Sequence, residues 1–315
     1  MMAFLYKRIL YVLPILFGVS LVAFSLIHIM PGDPVDSLLG PQATEEDRLR
    51  LVTALGLDLP LYEQYFRWLA GLFRFDFGIS IARMQPVADL IGDAMANTVI
   101  LASAAAAVAI VLGSVFGTIA AFFRNTWADR LFSILGLAGV SIPHFWIAIV
   151  LIILFGVVWQ VLPTSGMYSY TGDRAFGDLL RHLLLPAIAA GAPTMGTMTR
   201  MVRVQVIQVL QEDHVQLLKA KGLSRLRVLA HVWKNALPAI LTVLGLEMGH
   251  LFGGSILVET VFSWPGVGQL IYQSVSQRDI PMIQSGILLV SLIYVLVNLI
   301  VDVLHGLIDP RIRHT

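Results

Sequence analysis

Glu247 and His250 stand three residues apart inside a long apolar run, so on a helix they share one face. A carboxylate and an imidazole so placed can line a pathway for polar cargo, or hydrogen-bond to each other within a bundle. Asn298 and Asp302 lie four apart in the last apolar run, a spacing suited to a structural role that ties helices together. Polar groups at membrane depth mark function by default, because burying them without partners is costly. Recognisable motifs for covalent or metal chemistry are absent. No G-x-x-x-x-G-K-[ST] run exists to cradle nucleotide phosphates, no H-E-x-x-H run exists, and the serines lack an evident His and Asp arrangement. The chain contains no cysteine, which excludes disulfides, thiolate metal sites and a cysteine nucleophile. Its 8 histidines are scattered, so the sequence specifies no metal site and no catalytic residue.

The elements that position these residues are membrane helices. Of 315 residues, 57% are hydrophobic and only 13% charged, with a mean hydropathy of +0.80. A soluble domain carries about a quarter charged residues, so lipid must cover most of this surface. A spanning helix needs about 20 mainly apolar residues. Six stretches qualify: Ile9–Met30, Thr98–Phe123, Leu131–Trp159, Leu183–Met198, Ala239–Val258 and Ile283–Leu307. The expected fold is therefore all-α and integral to the membrane, with six transmembrane helices. The first run is too long for a cleaved leader and reads as a retained helix. Leu183–Met198 is short and interrupted by Pro186 and Pro193, so it should extend at both ends with a kink. Three parts follow: 1–96, a first helix and an external segment; 97–308, a core with a loop over 200–235; and 309–315, a short tail. The aromatic residues from Tyr62 to Phe77 predict short helices on the membrane surface or against the bundle.

Lys and Arg set the orientation. With the N-terminus inside, 13 of the 21 basic residues fall on the cytoplasmic side, and five of the other eight lie in the one long outer loop. Both termini are then cytoplasmic. The inner segment from Arg200 to Asn235 alone carries seven basic residues. Gly222 divides it into two helical halves, as a glycine in a helix-ending turn does. In the second half, Leu223, Leu226, Leu229, Ala230 and Trp233 share about a third of the circumference, while Val228 and Val232 break the pattern. Such a helix can lie on acidic lipid or dock on a cytoplasmic protein, and the periodicity alone leaves both open.

The run Asp213-His-Val-Gln-Leu-Leu-Lys-Ala-Lys-Gly-Leu223, followed by Lys234-Asn-Ala-Leu-Pro238, resembles the coupling loop of ABC importer permeases of the dipeptide, oligopeptide and nickel class. The resemblance covers nearly the whole chain. It includes Pro31-Gly-Asp-Pro34, Gly56-Leu-Asp-Leu-Pro-Leu61, Asp76-Phe-Gly-Ile-Ser80, Gly139-Val-Ser-Ile-Pro-His-Phe-Trp146, Val258-Glu-Thr-Val-Phe-Ser-Trp-Pro-Gly-Val-Gly268, the pair Arg278-Asp279, Val297-Asn-Leu-Ile-Val-Asp302 and Asp309-Pro-Arg-Ile-Arg313. The sequence departs from the family at His214 and Leu218, where tyrosine and alanine are usual, and at Glu247 and His250, where neutral residues are more common.

Membership would imply the type I importer permease fold, in the first-permease (B-type) position of the complex. It would assign contact with the ATPase to the loop residues Asp213, Ala220, Lys221, Gly222, Leu223, Arg227 and Asn235. The implied partners are a homologous second permease, two ATP-binding subunits and a periplasmic or lipid-anchored binding protein, all at the bacterial inner membrane, with no nucleic acid. ATP and Mg would sit on the partner subunits, and no cofactor on this chain. Di- or oligopeptide is the leading cargo, with nickel or a metal chelate and glutathione as alternatives. From other classes, an ion-driven carrier would show more intramembrane carboxylates. An intramembrane hydrolase would need a nucleophile and a base at one depth.

Overall fold

The computed structural model describes residues 2–29, 44–55, 58–169 and 175–308. Pro31-Gly-Asp-Pro34, the Asp309–Arg313 ending, and the side chains of His250 and Asp302 lie outside the described residues. The elements run α1 (Met2–Ile29), α2 (Glu45–Leu55), α3 (Leu61–Phe73), α4 (Val87–Phe122), α5 (Trp127–Ser141), α6 (His144–Leu151, continuing as a π-helical stretch Ile152–Val158), α7 (Phe176–Gln211), α8 (Asp213–Ala220), α9 (Arg225–Val261), α10 (Val267–Gln277) and α11 (Ile280–Ile308). Among the described residues there is no strand, only an isolated antiparallel bridge between Ile79 and Pro86.

Helix α7 is the axis of the bundle, packed on α4, α5, α6 and α9. Its 36 residues run through both Pro186 and Pro193, extending well beyond the apolar Leu183–Met198 core. Small residues let the backbones approach closely, which is how helices associate where lipid removes any hydrophobic advantage. A Cβ at Gly117 would stand 2.6 Å from the Thr199 carbonyl, and one at Gly191 2.6 Å from that of Ala105. Any larger residue at these positions forces α4 and α7 apart.

Three helices are long and apolar enough to cross a membrane among the described residues: Val87–Phe122, Leu226–Gly245 and Ile280–Val301. The stretch Leu131–Trp159 is not the single straight span expected from its composition. It is bent by 112° between α5 and α6, and counts as a fourth crossing only if the two arms are taken together. The cause is Pro143. Its ring disfavours the helical region for the preceding residue, and Ile142 is extended at φ −91°, ψ 127°. Leu10–Ser25 of α1 is a shorter apolar stretch. Helix α3 lies against α1 through Tyr65, which shares a 2.7 Å hydrogen bond with Ser20 and packs edge-on against Phe24.

Candidate functional site

The predicted loop is a helix, a tight turn and the start of a much longer helix. Glu212 is extended (φ −70°, ψ 147°) and separates α7 from α8. Helix α8 then ends in a left-handed turn at Gly222, where φ is +75°. The Gly222 N–H donates to the Lys219 carbonyl at 2.9 Å and the Leu223 N–H to the Leu218 carbonyl at 3.3 Å. These two bonds form a Schellman motif, whose left-handed residue is usually glycine because a Cβ is unfavourable there. Leu223 and Leu218 pack on the same apolar cluster, the hydrophobic contact that accompanies the motif.

The second half of the loop departs from the face read from its sequence. The residues that break the leucine pattern are the buried ones. Val228 (4% exposed), Val232, Ala236 and Ile240 pack with Val215 of α8 and with Val202, Val206 and Val209 of α7, whereas Leu226 is 78% exposed. The stretch is not a separate interfacial helix but the first turns of α9, 37 residues long, so its inner face is set by packing on α7.

Asp213, Ala220, Lys221, Arg227 and Asn235 are exposed around the turn. Asn235 donates its amide to His214 Nε2 at 3.0 Å, and His214 Nδ1 stands 3.0 Å from a Glu212 carboxylate oxygen. With Nε2 accepting, Nδ1 carries the proton toward Glu212, and the imidazole ties α8 to α9. Leu217 and Leu226 are exposed in the helices on either side of the turn, as are the basic Lys219, Lys221 and Arg227.

The intramembrane candidates separate. Glu247 on α9 accepts a 3.3 Å hydrogen bond from Thr194 of α7, which is 2% exposed, so its carboxylate bridges the two helices. Asn298 donates to the Tyr294 carbonyl of its own helix at 2.9 Å, rather than reaching a neighbour. A bidentate pair joins Arg203 of α7 to Asp129 of α5 at 2.6 and 2.8 Å. No three His, Asp or Glu side chains cluster as a metal site would require among the described residues.

Two buried carboxylates carry more structure than any residue singled out from sequence. Glu259, fully buried, accepts from Thr98 Oγ1 at 2.9 Å, Gly268 N at 2.7 Å and Gln269 N at 3.2 Å. Thr98 in turn accepts from Val267 N at 2.9 Å, and Trp264 donates its indole N–H to the Asn97 carbonyl at 2.9 Å. Asp279, 1% exposed, accepts from the Ser80 hydroxyl and from the N–H groups of Ile81 and Ala82. Glu259 belongs to the Val258–Gly268 motif and Asp279 to the Arg278-Asp279 pair. Only the motif hinted at them, since Thr98 and the donors at Ser80, Ile81 and Ala82 lie far away in the chain.

The bundle is one of long apolar helices with an exposed basic turn at one end. The sequence family described as binding-protein-dependent transport system inner membrane component matches residues 113–314, and its N-terminal counterpart matches residues 1–102. The dipeptide transport system permease protein DppB of Alkalihalophilus pseudofirmus is 38% identical over 333 aligned residues, with all of both chains covered. The glutathione transport system permease protein GsiC of Escherichia coli (strain K12) is 39% identical over 315, again with full coverage. Among solved structures, a chain of the MetNI methionine ABC transporter, captured in inward-facing conformations, superimposes with a TM-score of 0.55 at 15% identity. That match covers 70% of this chain and 96% of that one, and shows the type I importer permease fold. The chain belongs to the family of binding-protein-dependent transport system inner membrane components, and is a permease subunit of an ABC importer.

Proposed function

We propose that the subunit forms half of the pathway by which an ATP-driven importer carries short peptides inward across the bacterial inner membrane. The observation that carries this reading is the full-length similarity to a dipeptide permease. In this reading the chain crosses the membrane six times with both termini in the cytoplasm. It pairs with a homologous permease, rests on two ATPase subunits that hold ATP and Mg, and receives cargo from an external binding protein. The exposed Leu217 and Leu226 and the basic Lys219, Lys221 and Arg227 around the turn offer a docking partner both apolar and charged contacts. The turn's inner side is fixed to α7 and α9. Closure of the ATPase pair therefore moves α9 as a lever from Gly222 past Glu247 to Glu259, and the bundle rocks between inward-open and outward-open. Glu247 and His250 line the pathway.

Glutathione import is the second reading, favoured by the similarity to the glutathione permease. The test is uptake by proteoliposomes holding the whole complex and its binding protein. Labelled dialanine should accumulate with ATP inside and be displaced by other dipeptides. Displacement by glutathione alone would move the assignment to glutathione, and uptake that ignores ATP would overturn the importer reading.

A further inference from the structure

At the end of the bundle opposite the Gly222 turn lies a cavity of ≈ 300 Å³ between the first turns of α4, helix α10 and the segment before α4. Its polar lining comes from Arg83, Asp93, Asn97, Gln269 and Gln273, with Gly266 at its base. Two opposite charges face this one space, yet among the described residues neither Arg83 nor Asp93 forms an ion pair. Among the described residues the Arg83 guanidinium donates only from Nη2, to the neutral Gln273 Oε1 at 2.7 Å.

The walls are held in place from behind. The Arg83 N–H donates to Ser80 Oγ at 3.1 Å, and that hydroxyl donates to buried Asp279. Asn97 donates its amide to the Pro265 carbonyl at 2.9 Å. Gln269 is fixed through its N–H to Glu259, whose carboxylate leaves no room for a Cβ on Gly266. Buried carboxylates thus pin both sides of the cavity, and a site whose walls are already ordered loses less on binding.

We infer that this cavity receives a short zwitterionic peptide as the binding protein releases it, with Arg83 taking the terminal carboxylate and Asp93 the terminal ammonium. The inference rests on the peptide-import reading above. A cavity of this volume stands at the lower end of ligand sites, the size for a small cargo. An extended chain advances about 3.5 Å per residue, so a dipeptide spans about 7 Å, inside the diameter of about 8 Å of a sphere of this volume. The side-chain amides of Asn97 and Gln269 supply partners for the peptide groups between them. A guanidinium suits a carboxylate because it donates along two parallel bonds.

The test is equilibrium binding of dialanine, its C-terminal amide and its N-acetyl form to the purified complex without its binding protein. The wild type should bind dialanine about five- to tenfold more tightly than either capped form, the loss of one charge-assisted contact in a partly wet site. Arg83→Gln should erase the discrimination against the amide but keep that against the N-acetyl form. Asp93→Asn should do the reverse, and Arg83→Lys should restore part of the carboxylate preference. A merely structural role cannot produce this crossed pattern. Binding that is absent, or indifferent to capping, overturns the site and leaves the import reading standing. Wild-type proteoliposomes that take up no peptide overturn the import reading, and the site falls with it.

Discussion

Replacing Gly222 with valine probes the coupling turn at one backbone angle. Nothing lies within 4 Å of where a Cβ would be, so the substitution creates no clash and its cost is conformational. At φ +75° an ordinary L-residue loses about 1–2 kcal/mol, and a β-branched one sits at the upper end or beyond. If the turn escapes the strain, it forfeits the 2.9 and 3.3 Å bonds that close it, at ~1 kcal/mol each for exposed turn bonds. Either route costs about 2 kcal/mol, which lowers the population of the native turn roughly 30-fold. Helices α7 and α9 have their own packing, so insertion and pairing should persist while the exposed side of the turn loses its shape. The assay is ATP hydrolysis by the purified complex with and without loaded binding protein, beside vesicle uptake. Gly222→Val should nearly abolish uptake and uncouple hydrolysis from the loaded binding protein. Gly222→Ala should be intermediate and Gly222→Asn the mildest, because asparagine tolerates the left-handed region best after glycine. Full coupled transport by Gly222→Val refutes the docking role, and a series not ordered by left-handed preference refutes the conformational argument.

Because the native chain has no cysteine, single cysteines at Ser169 and Ser276 should react with an impermeant thiol reagent applied to intact cells, and one at Ser224 should not. Labelling at 224 would invert the topology. Arg203→Ala leaves the Asp129 carboxylate, 7% exposed, without its cation and with only the Asn125 N–H and the Ser133 hydroxyl as donors, whereas Asp129→Ala leaves an Arg203 side chain that is 28% exposed and reaches solvent. The first should therefore destabilise more, by about 3 kcal/mol, read as thermal melting of the purified complex. Equal losses would mean the pair is not stabilised by its burial. Glu247→Gln and His250→Ala should alter transport at normal abundance, and normal uptake by both would remove them from the pathway.

Some of this protein was legible because the physics is local. Membrane class follows from composition alone, since no water-covered surface could carry so few charges. The turn at Gly222 was visible because a Schellman motif is closed by residues three and five apart, and glycine is what its left-handed position selects. The bend at Pro143 was also local, but a continuous apolar run concealed it. Which face of α9 is buried could not be read in advance. The partner that covers this stretch is the valine face of α7, which the spacing within 223–233 does not reveal, so Val228 and Val232 looked like interruptions of a leucine stripe. Close fit on α7 chose the narrow valine and alanine face and left Leu226 outside. Glu259 and Asp279 lay further still beyond sequence reasoning. Thr98 is 161 residues from the carboxylate it meets and Ser80 is 199 away, and no periodicity connects groups so far apart. A buried carboxylate is defined by the donors around it, and only the folded chain brings those donors together.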